Sequence, residues 1–137
     1  MLVLLVEDSD TAREAVFHQL IALGHQVHPV SNGWQAVLSC YAYNYDMVLM
    51  DLHMPVMDGW DATQMIRDME SVRGNKRVPI VAITSLFDRQ ACLAAGMDDY
   101  LAKPYSNMQM QAIVRKWTLK NKMDAVNSQA VSDATTA

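Results

Sequence analysis

The most informative part of the sequence is residues 46–59, Asp46-Met47-Val48-Leu49-Met50-Asp51-Leu52-His53-Met54-Pro55-Val56-Met57-Asp58-Gly59. Its four apolar residues, 47–50, end abruptly in the carboxylate of Asp51. Pro55 and Gly59 follow, and both favour a turn or the end of a regular element. We therefore predict that Asp51 lies where a buried strand becomes a loop, which is where open α/β sheets bind ligands. A single aspartate there more often caps a turn, so this interpretation depends on the rest of the chain.

The composition is typical of one globular domain. The chain has 137 residues, of which 51% are hydrophobic and 19% charged, with a net charge of −4. This charge disfavours nucleic-acid binding by this chain. The apolar runs are too short to span a membrane, and residues 1–6 lack the basic region of a signal peptide. Cys40 and Cys92 have no metal-like spacing, so we expect a reducing, cytoplasmic setting without membrane contact.

Five apolar segments of strand length alternate with segments of helical periodicity. The predicted strands are residues 2–6, 27–30, 47–50, 79–83 and 99–102. Helices are predicted between them and after the last, with Thr11–x–x–Glu14 and Ser106–x–x–Gln109 as capping boxes. Asn32-Gly33 is predicted as a turn, residues 70–77 as a polar loop, and residues 88–95 as the helix before the last strand.

This alternation predicts an α/β fold: a three-layer, doubly wound, parallel five-stranded sheet of the flavodoxin-like kind. Pro29 cannot donate a hydrogen bond, so the second strand belongs at an edge and the strand order is 2-1-3-4-5. We predict that this domain covers residues 1–119. From Lys120 onward the chain turns polar and small, which predicts a flexible tail or linker over 120–137.

Polar side chains follow four of the predicted strands. Glu7 and Asp8 follow the first, Asp51 the third, Thr84 the fourth and Lys103 the fifth. Because the carboxyl ends of parallel strands meet at one edge of the sheet, these residues are predicted to share one pocket. Three carboxylates suit Mg²⁺, and the ammonium and the hydroxyl suit a phosphoryl group. Since aspartate is a covalent nucleophile for phosphate, the set favours an aspartyl phosphate.

Four motifs in this order resemble the receiver domain of two-component response regulators. They are Leu-Leu-Val-Glu7-Asp8, Val-Leu-Met-Asp51-Leu-His-Met-Pro55-Val-Met-Asp58-Gly59, Pro79-Ile-Val-Ala-Ile-Thr84-Ser85 and Gly96-Met-Asp-Asp-Tyr100-Leu-Ala-Lys103-Pro104. Together they span about residues 2–119. The resemblance implies a signalling domain that promotes only its own phosphotransfer and slow dephosphorylation.

The resemblance also implies roles for individual residues. Asp51 would be the phosphoacceptor, and Mg²⁺ would be held by Asp51 with Glu7, Asp8 and the backbone carbonyl of His53. Lys103 and Thr84 would contact the phosphoryl group. Tyr100 occupies the position of the aromatic switch residue, and the bond between Lys103 and Pro104 is the one that is usually cis in this family.

The segment from Cys92 to Tyr105 resembles receivers attached to hybrid histidine kinases and phosphorelays. The implied phosphodonor is a histidine kinase or a histidine phosphotransfer protein. A downstream effector would read the face of the helix after strand four, strand five and the last helix. His53 and Leu86 lie two residues beyond Asp51 and Thr84, and Leu86 cannot orient a water molecule, so we expect slow loss of the phosphate.

Two other functions fit the residues less well. An aspartate-dependent Mg²⁺ phosphatase of the haloacid dehalogenase type also uses an aspartate at the end of a strand. It needs a second aspartate two residues later, where this chain has His53. A non-catalytic flavodoxin-like binding module would share the fold, but Glu7, Asp8 and Asp51 would repel a flavin phosphate.

Overall fold

The computed structural model describes residues 1–85 and 88–136, and its centre is a parallel sheet in the order β2-β1-β3-β4-β5. This confirms the predicted topology. Pro29 lies on the edge strand β2, as expected from its missing donor. The strands are β1 Leu2–Val6, β2 Gln26–Val30, β3 Met47–Asp51, β4 Ile80–Thr84 and β5 Asp99–Ala102.

The helices connect these strands in a regular alternation. They are α1 Asp10–Ala22, α2 Gly33–Ala42, α3 Gly59–Arg73, α4 Arg89–Ala94 and α5 Asn107–Thr136. The chain steps one way across the sheet from β1 to β2 and the other way through β3, β4 and β5. Because such crossovers are right-handed, α1 covers one face of the sheet and α2, α3 and α4 cover the other. This unit, Met1–Tyr105, is therefore three layers thick, and a second unit begins at Ser106 and contains α5.

The inner strands carry the core. Every residue of β3 and β4 is buried, and so are residues 3–6 of β1. A parallel sheet covered on both faces needs such unbroken apolar runs, because side chains on both sides of each strand leave water. Asp51 and Thr84 are the exceptions, since each is a buried polar residue at the carboxyl end of its strand.

Several helix boundaries differ from the prediction. Ser9, not Thr11, caps α1, and its side chain accepts a hydrogen bond from the backbone N–H of Ala12. Asn32 caps α2, so the predicted Asn32-Gly33 turn is the start of a helix. Four residues of the predicted 70–77 loop belong to α3. Helix caps and turns favour the same residue types. Only the hydrogen bonds that the side chains make in the folded chain distinguish a cap from a turn.

The second unit begins with the predicted capping box. The Ser106 N–H donates to Gln109 Oε1 over 2.8 Å, and the Gln109 N–H donates to Ser106 Oγ over 3.1 Å. The helix then continues through the segment after Lys120, where the composition predicts a flexible tail. Lysine, glutamine, methionine and alanine in this segment favour helix, which a judgement based on polarity alone overlooks. The domain boundary at residue 119 stays a prediction.

Helix length and hydropathy bear on membrane contact. Within the described residues, none of the helices combines the length with the apolar character that crossing a membrane would require.

Candidate functional site

The sheet register brings the predicted polar residues to one edge. Val6 pairs with Met50, and the next residue on each strand is Glu7 or Asp51. On the other side, Thr84 at the end of β4 pairs with Ala102, and Lys103 follows directly. The Lys103 backbone N–H donates to the Thr84 carbonyl over 2.8 Å, which holds the β5 exit against β4. The register therefore brings the residues at the carboxyl ends of β1, β3, β4 and β5 to one edge of the sheet.

Three carboxylates form the floor of this site. One oxygen from each of Glu7, Asp8 and Asp51 lies within 4.8 Å of the others. Asp51 is 2% exposed and Glu7 6% exposed, whereas Asp8 faces solvent. Lys103 Nζ lies 3.3 Å from Asp51 Oδ1 and 3.8 Å from Glu7 Oε2. The Lys103 ammonium thus faces two of the acids, and Asp8 lies beside them as a third.

Burial and the neighbouring charges change the pKa of Glu7. Its pKa rises from 4.5 to about 7, mainly because burial disfavours the charged carboxylate. A hydrogen bond with the Asp51 carboxyl and the charge of Asp51 raise the pKa further, and the Lys103 ammonium opposes them. Clustered carboxylate oxygens are the ligands that Mg²⁺ prefers, so the residues present fit this ion.

The loop after β3 supports the Asp51 carboxylate. The His53 backbone N–H donates to Asp51 Oδ1 over 3.2 Å, while the His53 side chain is exposed, as predicted for the rim of the site. Asp58 caps α3 by accepting from the Asp61 N–H. A Cβ atom at Gly59 would collide with the Asp51 carbonyl oxygen, so only glycine lets α3 start this close to the end of β3.

The remaining predicted residues lie on β4 and β5. Thr84 is fully buried at the end of β4. Tyr100 lies on β5 opposite Ala82 and is half-buried against the apolar core. The bond between Lys103 and Pro104 is cis, which confirms the prediction for that bond. Leu86, on which the expected slow dephosphorylation depends, lies outside the described residues.

Tyr105 is a site neighbour that sequence reasoning missed. Burial and the negative charges of Glu7 and Asp51 raise the pKa of its phenol, so the hydroxyl is close enough to sense both acids. Tyr105 does not end a strand, and its distance from Asp51 along the chain is large. The signal that could have found it is its position in the sequence, two residues after Lys103.

Comparison with known proteins agrees with this geometry. The family model described as "Response regulator receiver domain" matches residues 3–115. The chain belongs to this family. As a receiver domain it is 40% identical over 119 residues to the sensor histidine kinase GacS of Pseudomonas protegens. That match covers 85% of this chain and 13% of GacS, so the receiver spans a small part of this curated relative.

Two solved receiver structures are informative. The receiver domain of the sensor histidine kinase PA1611 from Pseudomonas aeruginosa, with magnesium coordinated in its active-site cleft, is 44% identical. It has a TM-score of 0.75 and matches 85% of this chain and 95% of its own. The Saccharomyces cerevisiae receiver of Ssk1, in a complex with the histidine phosphotransfer protein Ypd1, is 29% identical with a TM-score of 0.81. That match covers 91% of each chain.

These findings confirm the predicted family and its hybrid-kinase subtype. The domain is a two-component phosphorelay module with the flavodoxin-like strand order. The family assignment also favours the receiver over the phosphatase and the flavin-binding module. The roles of individual residues in this chain are proposals.

Proposed function

We propose that this receiver domain takes a phosphoryl group from a phosphohistidine onto the carboxylate of Asp51. The observation that carries this proposal is the environment of Asp51. A carboxylate that is 2% exposed normally has its charge compensated, yet its neighbours include two further acids and a single ammonium 3.3 Å away. Such a site is suited to a divalent cation, which would offset the excess negative charge and let an anionic phosphoryl group approach Asp51.

The ligands of Mg²⁺ would be the carboxylates of Glu7, Asp8 and Asp51 and the backbone carbonyl of His53. When bound, Mg²⁺ supplies positive charge that lowers the repulsion between Asp51 and the phosphoryl oxygens. Burial and the neighbouring Asp51 raise the pKa of Glu7, and a cation held by its carboxylate would favour the charged form, so Glu7 would lose its proton on binding. Because Asp8 is exposed, its carboxylate would be the first ligand that a cation from solvent contacts.

In the transfer, one Asp51 oxygen attacks phosphorus as the bond from phosphorus to the donor's histidine nitrogen breaks. The bonding electrons leave with the imidazole ring, which becomes neutral histidine. Lys103 would exchange its ion pair with Asp51 for a contact with a phosphoryl oxygen, which its flexible side chain permits. Thr84 would donate a hydrogen bond to another oxygen.

The Thr84 hydrogen bond would also carry the signal. A charged phosphoryl group accepts a stronger hydrogen bond than a neutral acceptor, so the Thr84 side chain would move toward it. The space beside β4 would then be open to Tyr100 on the adjacent strand β5. A change of packing at β5 would alter the neighbouring surface of α4, which a downstream effector would sense.

The proposed donors are a histidine kinase or a histidine phosphotransfer protein. The family match to sensor kinases and the Ssk1–Ypd1 complex support this proposal. We further propose that the domain works in the cytoplasm, does not bind nucleic acid through this chain, and turns over no substrate other than its own phosphoryl group.

The test is intact-mass spectrometry after incubation with acetyl phosphate. We expect one phosphoryl adduct on the wild type with Mg²⁺, none in excess EDTA, and none on Asp51→Asn. Asp58→Asn is the matched control, because asparagine still caps α3 and should leave the adduct unchanged. An equal adduct on wild type and Asp51→Asn would overturn the assignment of Asp51.

A further inference from the structure

The outer face of helix α2 is apolar and uncharged. The residues of this helix, Gly33–Ala42, include no acid and no base. A helix at a protein surface normally carries charged side chains on the face toward water. Here Trp34, Leu38 and Tyr41 follow one another at spacings of four and three residues, so they form one stripe along the helix. They are 45%, 52% and 62% exposed, and the fold therefore leaves this α2 stripe in contact with water.

The α2 stripe lies beside helix α3. At one end, the Gly33 N–H donates to the carbonyl of Met57, just before α3, over 3.0 Å. At the other end, the Arg73 guanidinium lies 4.4 Å from the centre of the Tyr41 ring and donates to the Tyr41 carbonyl over 3.0 Å. The start of α2 is thus near the start of α3, and the two helix ends also meet. The helices therefore run side by side in the same direction.

Charges of opposite sign lie at the two ends of the α2 stripe. Asp61, in the first turn of α3, is exposed at the end that carries Trp34. Arg73, in the last turn of α3, is exposed at the end that carries Tyr41. Since α2 contributes no charge, this surface is negative at one end, positive at the other and apolar between them. It is complementary to a copy of itself that is turned end for end.

We propose that two copies of this chain associate through the α2 stripe, with their α2 helices antiparallel about a two-fold axis at Leu38. A two-fold axis pairs one surface with the same surface of the second copy. Leu38 would pack on Leu38 of the second copy. Trp34 would pack on Tyr41 of the second copy, because these residues lie about 6 Å and about 5 Å to either side of Leu38 along the helix.

The charges of the chain favour this occupant and this orientation. The chain has a net charge of −4, so two copies repel each other over most of their surfaces, and an uncharged helix face avoids that repulsion. The two-fold axis also brings Asp61 opposite Arg73 of the second copy, twice in each dimer. A parallel arrangement would instead place like charges together. Three apolar side chains per copy cover less than the roughly 800 Å² per partner of a stable interface, so the association should be weak, with a dissociation constant on the order of 100 μM.

The first test is sedimentation velocity of the whole chain from about 10 μM to about 1 mM, a range that spans the expected dissociation constant. The mean mass of the wild type should rise from monomer toward dimer. Leu38→Asp should stay monomeric, because it places two carboxylates against each other at the axis. Leu119→Asp is the matched control, since Leu119 is also a helical leucine that is 52% exposed, and it should associate like the wild type. Circular dichroism would verify that both variants fold.

The second test exchanges the charges. Asp61→Arg and Arg73→Asp should each weaken the association about tenfold, because each single variant creates two like-charge contacts per dimer. The double variant should recover an affinity within about threefold of the wild type, since its charges are again opposite. A double variant weaker than both single variants would contradict the antiparallel arrangement. A wild type that stays monomeric at the highest concentration, or a Leu119→Asp variant that loses association as fully as Leu38→Asp, would overturn the proposal.

Discussion

The burial of Glu7 beside Asp51 predicts that the metal-free protein loses stability as the pH rises. An unfolded glutamate titrates near 4.5, whereas the pKa of Glu7 in the folded protein is about 7. The folded state therefore binds this proton more tightly than the unfolded state. The resulting stability is fully present below pH 4.5 and is lost as the pH rises through 7. Between pH 5 and pH 8 the loss corresponds to roughly 2–3 kcal/mol in the free energy of unfolding.

Glu7→Gln isolates this effect, because glutamine keeps the size of the side chain and cannot ionise. In EDTA the variant should be more stable than the wild type by about 3 kcal/mol at pH 8 and by only about 1 kcal/mol at pH 5. The measurement is urea unfolding followed by circular dichroism at four pH values. Asp61→Asn, which removes an exposed acid from the first turn of α3, should show no such trend.

Mg²⁺ should reverse the order of the two proteins. Added Mg²⁺ should stabilise the wild type at pH 8, since binding to the folded state alone shifts unfolding by mass action. The same addition should stabilise Glu7→Gln much less, because one carboxylate ligand is missing. A stability difference between the two proteins that stays constant from pH 5 to pH 8 in EDTA would refute this account of the site.

Other predictions concern the support of the site and its signal. Gly59→Ala should lower the free energy of unfolding by about 2 kcal/mol, because the new methyl group collides with the Asp51 carbonyl; urea unfolding would measure this, and an unchanged midpoint would contradict it. Asp98→Asn should cost about 3 kcal/mol in the same assay, since Asp98 pairs with two arginines; a loss below about 0.5 kcal/mol would make that cluster unimportant. A Mg²⁺–beryllofluoride complex should shift the NMR signals around both Asp51 and Tyr100 in the wild type, but only those around Asp51 in Thr84→Ala; full propagation in the variant would exclude the Thr84 route.

Local patterns in the sequence were sufficient for the fold. The predicted bounds of the first and fifth strands, 2–6 and 99–102, agree with β1 and β5. Pro29 identified the edge strand, and the Ser106 capping box identified the start of α5. These features could be predicted because each depends on residues that are close in sequence. They are an apolar run, a proline without a backbone donor, and a capping box of four residues. Once five strands alternate with helices, the handedness of the crossovers leaves few orders to choose from.

Contacts between segments that are distant in sequence could not be predicted. Glu70 was predicted in a polar loop, yet it is buried on α3, where it accepts from Arg67 and from the Val78 backbone N–H. Arg67 also reaches Asp98 and the Gly96 carbonyl, about thirty residues away. Each of these polar groups is buried at low cost only because the others satisfy it. No local sequence pattern predicts such a cluster, because its residues come into contact only after the helices have packed.

The candidate site divides in the same way. Which residues meet could be predicted from the sequence alone, because parallel strands bring Glu7, Asp51 and Lys103 to one edge whatever the details of packing. How these residues interact depends on the folded structure. The pKa of Glu7 depends on how completely water is excluded and on charges carried by other strands, and the approach of the loop after β3 to α2 depends on the hydrogen bond from the Gly33 N–H to the Met57 carbonyl. Burial, distance and backbone strain are properties of the packed chain, and a linear pattern of residues does not contain them.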